Sequence, residues 1–202
     1  MERHAQLTAR EIHGPYVQLL TNLQGEEGQE WLKALKRFLR KENPWEQGFV
    51  LTVCGSTEIM LTEERQPTQF FQDRNGLRVL PGFSHLIANA KVLAAGTKIS
   101  LDYFEFTTES GVTDIDIESG LAAKGNHFFE IDAVAAIIAE LISAQEGGKE
   151  GVLLINGVNI FYTGSLVVDV HWLVGHGKWR VSSWQRDGSR WRQGRRVFIL
   201  SN

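Results

Sequence analysis

Hydrophobic residues recur at helical spacing in three parts of the chain. Apolar positions three and four residues apart follow Pro15 as far as Gly25, and a second stripe runs from Trp31 to Leu39. A third, longer stripe covers residues 130–145 and ends at two glycines. This spacing places the apolar side chains on one side of each helix. It predicts two N-terminal helices, the first with Pro15 in its first turn, and one strong helix late in the chain.

The remaining hydrophobic segments are short and rich in β-branched and aromatic residues, as strands are. They predict strands at 49–53 and 98–107, with loop at 63–69 and a helix at 83–93 between them. Turn dipeptides then follow at short intervals from residue 151 onward, beginning with Asn156-Gly157 as a hairpin between strands 152–155 and 158–163. The pattern predicts an α+β fold. A helical N-terminal region (1–47) precedes a domain (48–202) that ends in an antiparallel β-meander (151–200), packed against the helix at 130–145.

Two strands of this meander carry an informative alternation, because successive side chains of a strand point to opposite faces. A two-residue turn at His176-Gly177 predicts Trp172 opposite Val181 and Val170 opposite Ser183. The apolar face should then be covered by the helix at 130–145. The opposite face carries a mixed polar set: Asp169, His171, Arg180, Ser182 and Trp184.

That polar set has two interpretations. It predicts a ligand site formed by Asp169, His171, Arg180 and Trp184, in which an imidazole can carry a proton near neutral pH. The alternative is a solvated sheet face with ordinary cross-strand pairs.

Charge is unevenly distributed along the chain. The net charge is −3, yet the segment from Gly151 onward has seven Lys/Arg residues and only Asp169 and Asp187 as acids. Basic and aromatic residues interleave in its last strands, as they do in nucleic-acid-binding proteins. The arginines predicted to contact nucleic acid are Arg186, Arg190, Arg192, Arg195 and Arg196. The alternative interpretation is that these arginines flank a turn, or pair with the acidic first part of the chain.

Motifs for other chemistry do not fit. Asp114, Asp116 and Glu118 lack the glycine of a calcium loop, and no phosphate-binding, dinucleotide-binding or zinc-protease motif occurs. The single cysteine, Cys54, follows an apolar run and is expected to be a buried structural thiol. The sequence therefore predicts no cofactor and no metal. No segment is apolar enough for a signal peptide or a membrane helix, which favours a cytoplasmic location without membrane contact.

Four segments carry a resemblance to other proteins: L-R-K-E-N-P-W-E (39–46), R-N-G-L-R-V (74–79), E-G-V-L-L-I-N-G-V-N-I-F-Y-T (150–163) and R-D-G-S-R-W-R-Q-G-R-R-V-F (186–198). They resemble a group of uncharacterised proteins from small-genome candidate-phylum bacteria. The resemblance implies a bacterial cytoplasmic protein and no particular activity.

Three functional hypotheses remain from the sequence. The first is an interaction or binding protein without catalysis, acting on a protein partner or by self-association. The second is a nucleic-acid-binding module that uses the C-terminal Arg/Trp-rich strands. The third is an enzyme with a dispersed polar site near Asp169, His171 and Arg180. A continuous positive stripe would favour the second hypothesis, and a concave pocket would favour the third.

Overall fold

The structure is a computed structural model that describes residues 9–40, 50–107, 112–122, 124–164, 166–186, 190–192 and 194–201. The fold is α+β, as the sequence predicts. The chain divides into two compact units, Met1–Gln47 and Gly48–Asn202. In its described part, no helix is both long enough and apolar enough to span a membrane.

The first unit is a helical hairpin of α1 (Ala9–Gln24) and α2 (Gly28–Leu39). The helix α1 starts before the position that the sequence predicts, so Pro15 lies inside it rather than in its first turn. Gly28 is the first residue of α2 and lies close to the end of α1. A Cβ at this position would lie 2.2 Å from the Leu23 carbonyl oxygen. Glycine is therefore required for this close turn.

The second unit contains the remaining elements. Its helices are α3 (Pro67–Phe70), α4 (Pro81–Leu86), α5 (Asp114–Ala122) and α6 (Ile131–Ala144). Its strands are β1 (Val50–Met60), β2 (Leu77–Val79), β3 (Lys98–Thr107), β4 (Val112–Thr113), β5 (Phe128–Phe129), β6 (Val158–Thr163), β7 (Leu166–Leu173), β8 (Lys178–Gln185), β9 (Arg190–Trp191) and β10 (Arg195–Leu200).

One large sheet organises this unit, with strand order β1-β3-β10-β6-β7-β8-β2 and with β5 beside β6. The β6–β7–β8 part is an antiparallel meander. The last strand does not extend it, because β10 lies on the other side of β6, parallel to β6 and antiparallel to β3. The short strands β4 and β9 form a second, two-stranded sheet.

Both faces of the large sheet are covered. On one face, α6 packs with α3 and α4 over Val168, Val170, Trp179 and Val181, which are buried. This is the covering that the sequence predicts. On the other face, α5 and the β4–β9 pair cover a second core that contains Val167, Tyr162 and Val197. The alternative of a solvated second face is therefore wrong for the part that this core covers, whereas His171 and Arg180 are only half-buried.

The predicted register between β7 and β8 is also wrong, by two residues. Trp172 pairs with Trp179 and Val170 with Val181, because a 3-10 turn (Val174–His176) followed by Gly177 makes the connection longer than two residues. Gly177 has φ +60°, the left-handed conformation that glycine adopts without strain. A shift of two residues preserves the faces, so Asp169 and His171 remain on the same side as Ser182 and Arg180.

The segment before β6 is not the strand that the sequence predicts at 152–155. In this segment, side-chain amides rather than a neighbouring strand form hydrogen bonds with the backbone. Asn159 exchanges hydrogen bonds of 2.8 and 3.0 Å with the backbone of Leu154, and Gln145 does the same with Leu153. Gly157 is not a hairpin residue with positive φ. Its lack of a side chain lets its backbone approach Gly194, whose carbonyl oxygen would lie 2.4 Å from a Cβ at position 157.

Three smaller differences concern the region before α5. The strand β1 is longer than predicted, the 63–69 segment contains α3, and the helix predicted at 83–93 is confined to α4. Cys54 is exposed rather than buried, as are its neighbours Thr52 and Val53 on this edge strand of the sheet.

Candidate anion-binding site

A row of cationic side chains crosses the sheet at one level. Arg78 of β2 pairs with Arg180 of β8, and Arg180 pairs with His171 of β7. On β6, Val158 falls at the level of His171, since the next residue, Asn159, pairs with Val170. Val158 in turn pairs with Arg195 of β10. Three arginines and a histidine thus share one face across five adjacent strands, over about 19 Å at ~4.8 Å per strand.

Alternation along each strand places these side chains on the same face. Leu77 and Val79 are buried in the α6-side core, so Arg78 between them points to the opposite side and is exposed. Arg180 points to this side for the same reason, because its neighbours Trp179 and Val181 are buried in the α6-side core. On β10, Arg195 lies on the same face as Val197, which belongs to the second core, and Phe198 lies on the α6 side. The row therefore follows from β-pleating once the strand order is known.

A buried carboxylate lies two residues from the row. Asp169 is 1% exposed, and its Oδ1 accepts a hydrogen bond from Ser182 Oγ. Its Oδ2 is 3.1 Å from Nδ1 of His171. Since a carboxylate only accepts hydrogen bonds, this contact requires the hydrogen on Nδ1, so that in a neutral imidazole the lone pair is on Nε2. Asp169 therefore fixes both the tautomer and the direction of the His171 ring.

Partial burial affects the charge of Arg195. Partial burial lowers the pKa of its guanidinium, the Asp169 carboxylate opposes this, and nearby Arg192 lowers the pKa further. The group nevertheless keeps its charge, because a guanidinium is not deprotonated in proteins. Partial desolvation and a like-charged neighbour both make an anion at Arg195 favourable. Arg192, which precedes β10 by three residues, is exposed.

Several charges of this row have no counter-ion. Within the part of the chain that the structure describes, no carboxylate lies at ion-pairing distance from Arg78, Arg180, Arg192 or Arg195. The Nε atoms of Arg180 and Arg195 are buried and make no hydrogen bond. The remaining N–H groups of these guanidinium ions are therefore the ones that an anion could contact.

The other arginines predicted for nucleic acid behave differently. Arg186 donates to Glu118, and Arg196 donates to Glu105 at 2.6 Å and to the carbonyl oxygens of Gly151 and Val152. Arg196 also lies on the α6 side of the sheet, over the Tyr103 ring. The side chain of Arg190 lies outside the described residues. The structure thus brings Arg192 and Arg195 to the row and directs Arg186 and Arg196 to ion pairs.

Trp184, the last predicted ligand residue, lies further along the same face and is partly buried, with its ring centroid 6.0 Å from that of Trp191. Beneath this pair lies Asp114, which is 2% exposed. Its Oδ1 accepts hydrogen bonds from Tyr162 Oη at 2.9 Å and from Trp191 Nε1 at 2.6 Å. Burial, followed by the charge of Asp114, raises the pKa of Tyr162 far above its ordinary value. Asp114 therefore joins α5, β6 and β9, and holds β9 and the adjoining Arg192 over the sheet.

Sequence reasoning missed Arg78 and the Asp114–Tyr162 contact. The strand β2 has three residues and pairs with β8, which lies about a hundred positions away, so no local pattern indicates that Arg78 joins the row. The buried role of Asp114 depends on partners 48 and 77 positions away. The opposite directions of Arg195 and Arg196, in contrast, follow from strand alternation alone.

A separate shallow groove lies on the α6 side, with a cavity volume of about 20 Å³ between Leu61, Phe70 and Ala136. Its charged groups largely pair with one another, because Arg65 contacts Glu63 and Glu140 at 2.6 and 3.9 Å. It offers little uncompensated charge to a ligand.

Among the described residues, no three His, Cys, Asp or Glu side chains come together as a metal site. Compared with protein-family models, curated proteins and solved structures, the chain matches none of them.

Proposed function

We propose that this protein binds single-stranded nucleic acid along this row, in which Arg78, Arg180 and Arg195 supply the positive charge, His171 lies between them and Arg192 is close by. The observation that carries the proposal is the row itself: arginines from three separate strands lie at one level, and in the described part of the chain no carboxylate is within ion-pairing distance of them. A chain with a net charge of −3 gains no general affinity for anions from its composition. This local concentration of positive charge therefore indicates a site.

The shape of the row favours a polymer. A small anion would need donors that converge around one point, whereas these guanidinium groups extend across about four strand spacings, or roughly 19 Å. A strand of phosphates offers negative charges at intervals along a line. Arginine also binds phosphate through two parallel N–H donors. The partly exposed Trp184 lies on the same face, and an aromatic surface next to a cationic groove is typical of proteins that bind single strands.

The test is fluorescence anisotropy with labelled single-stranded RNA and DNA oligonucleotides. Each lost phosphate contact should reduce the magnitude of the slope of log affinity against log salt concentration by about 0.7 for a single strand. Arg78→Gln and Arg180→Gln should each lower the affinity about tenfold at low salt, as expected for the loss of a charged hydrogen bond. Arg74→Gln is the matched control, because Arg74 packs over the Phe70 ring outside the row. Equal losses in all three variants, or no measurable binding by the wild type, would contradict the proposal.

A second candidate function, cleavage of bound RNA, rests on the Asp169–His171 contact. With the hydrogen on Nδ1, the free Nε2 is able to accept the proton of a ribose 2′-hydroxyl. The 2′-oxygen then attacks the adjacent phosphorus and the bond from phosphorus to the 5′-oxygen breaks. The leaving oxygen takes a proton from the imidazolium, which gives a 2′,3′-cyclic phosphate and a 5′-hydroxyl. The positive charge of Arg180 beside His171 would stabilise the pentavalent phosphorus state.

Binding and cleavage are separated by two variants. His171→Ala should abolish cleavage and lower affinity little, and Asp169→Asn should slow cleavage while removing a negative charge near the row. RNA with a 2′-deoxy substitution at the cut site should bind and remain intact. Cleavage that persists in His171→Ala would show that the activity comes from another source and would remove this candidate, without affecting the binding proposal.

A further inference from the structure

One member of the row belongs to a residue type whose charge depends on pH near neutrality. The arginines of the row keep their charge, because a guanidinium is not deprotonated in proteins. Histidine is the side-chain type that gains or loses a charge between pH 5 and 8. His171 lies in the middle of the row, between Arg180 of β8 and the strand β6, and its side chain is partly exposed. A phosphate bound along the row therefore meets a group that is able to take up a proton.

The immediate neighbours of His171 are one acid, one base and one apolar residue. The acid is Asp169, whose Oδ2 is 3.1 Å from Nδ1 of the ring. The base is Arg180, which pairs with His171 on the adjacent strand. On the other side, Val158 of β6 lies at the same level and carries no charge. The Asp169 contact directs Nδ1 away from the row and leaves Nε2 as the ring atom that a ligand is able to reach.

The remaining charges on this face are cationic near His171 and acidic only further along the strands. The cationic side chains near the ring are Arg78, Lys178 and Arg195, with Arg192 close to Arg195. The acids of α5 lie towards the opposite end of β7, where Asp114 accepts a hydrogen bond from Tyr162 and Glu118 pairs with Arg186. A phosphate beside His171 would therefore add negative charge to a region in which Asp169 is the nearby acid.

We propose that His171 takes up a proton when nucleic acid binds and holds a phosphate of the strand, so that the affinity rises as the pH falls. In the imidazolium both ring nitrogens are donors, so Nδ1 stays bonded to Asp169 while Nε2 donates to a phosphate oxygen. Such a charged hydrogen bond is stronger than a neutral one. The coupling is reciprocal, since a phosphate that favours the proton is itself favoured by it. This inference rests on the proposed nucleic-acid site and adds its regulation by pH.

The experiment measures binding of an oligothymidylate strand by fluorescence anisotropy, over a salt series at about pH 5.5 and about pH 8. Thymine gains no proton in this range, the strand has no 2′-hydroxyl to be cleaved, and the fluorophore is one that is insensitive to pH. Wild-type affinity should be about three- to tenfold higher at the lower pH. The slope of log affinity against log salt concentration should be steeper there by about 0.7, because one more phosphate is neutralised. In His171→Gln, affinity and slope should be the same at both pH values.

Two other histidines supply matched controls. His176 is exposed in the turn between β7 and β8, and His85 is exposed on α4, on the other side of the sheet. His176→Gln and His85→Gln should keep the wild-type rise, and thermal melting at both pH values checks that every variant is folded. Binding by the wild type with equal affinity and slope at both pH values would overturn this inference alone, and so would a rise that persists in His171→Gln. Absence of binding at either pH would overturn the nucleic-acid site as well.

Discussion

Arg195 and Arg196 are consecutive residues of β10, yet their side chains lie on opposite faces of the sheet. Arg195 joins the cationic row beside Asp169, while Arg196 donates to Glu105 and to two backbone carbonyl groups on the α6 side. Arg196 therefore has a structural role, whereas Arg195 has no carboxylate at ion-pairing distance among the described residues. This difference supplies a pair of matched variants for testing the proposed site.

Asp114 should be required for stability. In Asp114→Ala, the hydroxyl of Tyr162 and the indole N–H of Trp191 lose their acceptor while both side chains stay buried. Each unpaired buried donor costs about 1–3 kcal/mol. Asp114→Asn keeps an acceptor oxygen and should lose less. Urea unfolding of the three proteins measures the difference, and equal stability of the alanine variant and the wild type would contradict the described hydrogen bonds.

Stability should fall at alkaline pH because of Tyr162. Its pKa is raised in the folded state above the ordinary value of about 10, so the folded protein retains a proton that the unfolded chain loses. The contribution of Tyr162 is fully present below pH ~10 and decreases as the pH rises further, by up to about 1.4 kcal/mol per pH unit. Tyr162→Phe removes this dependence. The free energy of unfolding of both proteins, measured from pH 9 upward, should show a steeper decline in the wild type.

Gly147 should not tolerate a side chain. A Cβ at this position would lie 2.4 Å from the Trp172 ring, which packs edge-to-face on Trp179 with centroids 5.2 Å apart. Gly147→Ala should therefore displace the ring and destabilise the protein by about 1–3 kcal/mol. Gly164→Ala is the control, since nothing lies within 4 Å of its added Cβ. Thermal melting that ranks the two variants in the opposite order would contradict the packing of Trp172.

Local patterns predict much of this fold and part of the site. The strand at 98–107 coincides with β3, and the helix predicted at 130–145 coincides with α6 to within one residue at each end. The common face of Asp169, His171 and Arg180 was also predicted correctly, despite the error in register. An even shift changes the partners of a strand but not its faces.

Long-range pairing accounts for what the sequence did not indicate. The parallel contacts of β2 with β8 and of β10 with β6 join segments that share no turn, so neither Arg78 nor Arg195 could be assigned to the row beforehand. The strand predicted at 152–155 is absent for another reason. Side-chain amides of Gln145 and Asn159 satisfy its backbone, which removes the need for a strand partner.

The most direct test of the proposed site compares Arg195→Gln with Arg196→Gln in salt-dependent binding of a single-stranded oligonucleotide. Arg195→Gln should weaken binding and reduce the slope of log affinity against log salt by about 0.7, the amount expected for one phosphate contact. Arg196→Gln should lose stability in a parallel melting experiment while its slope stays that of the wild type. Equal slopes for Arg195→Gln and the wild type, or the same reduction in both variants, would contradict a nucleic-acid site on this face of the sheet.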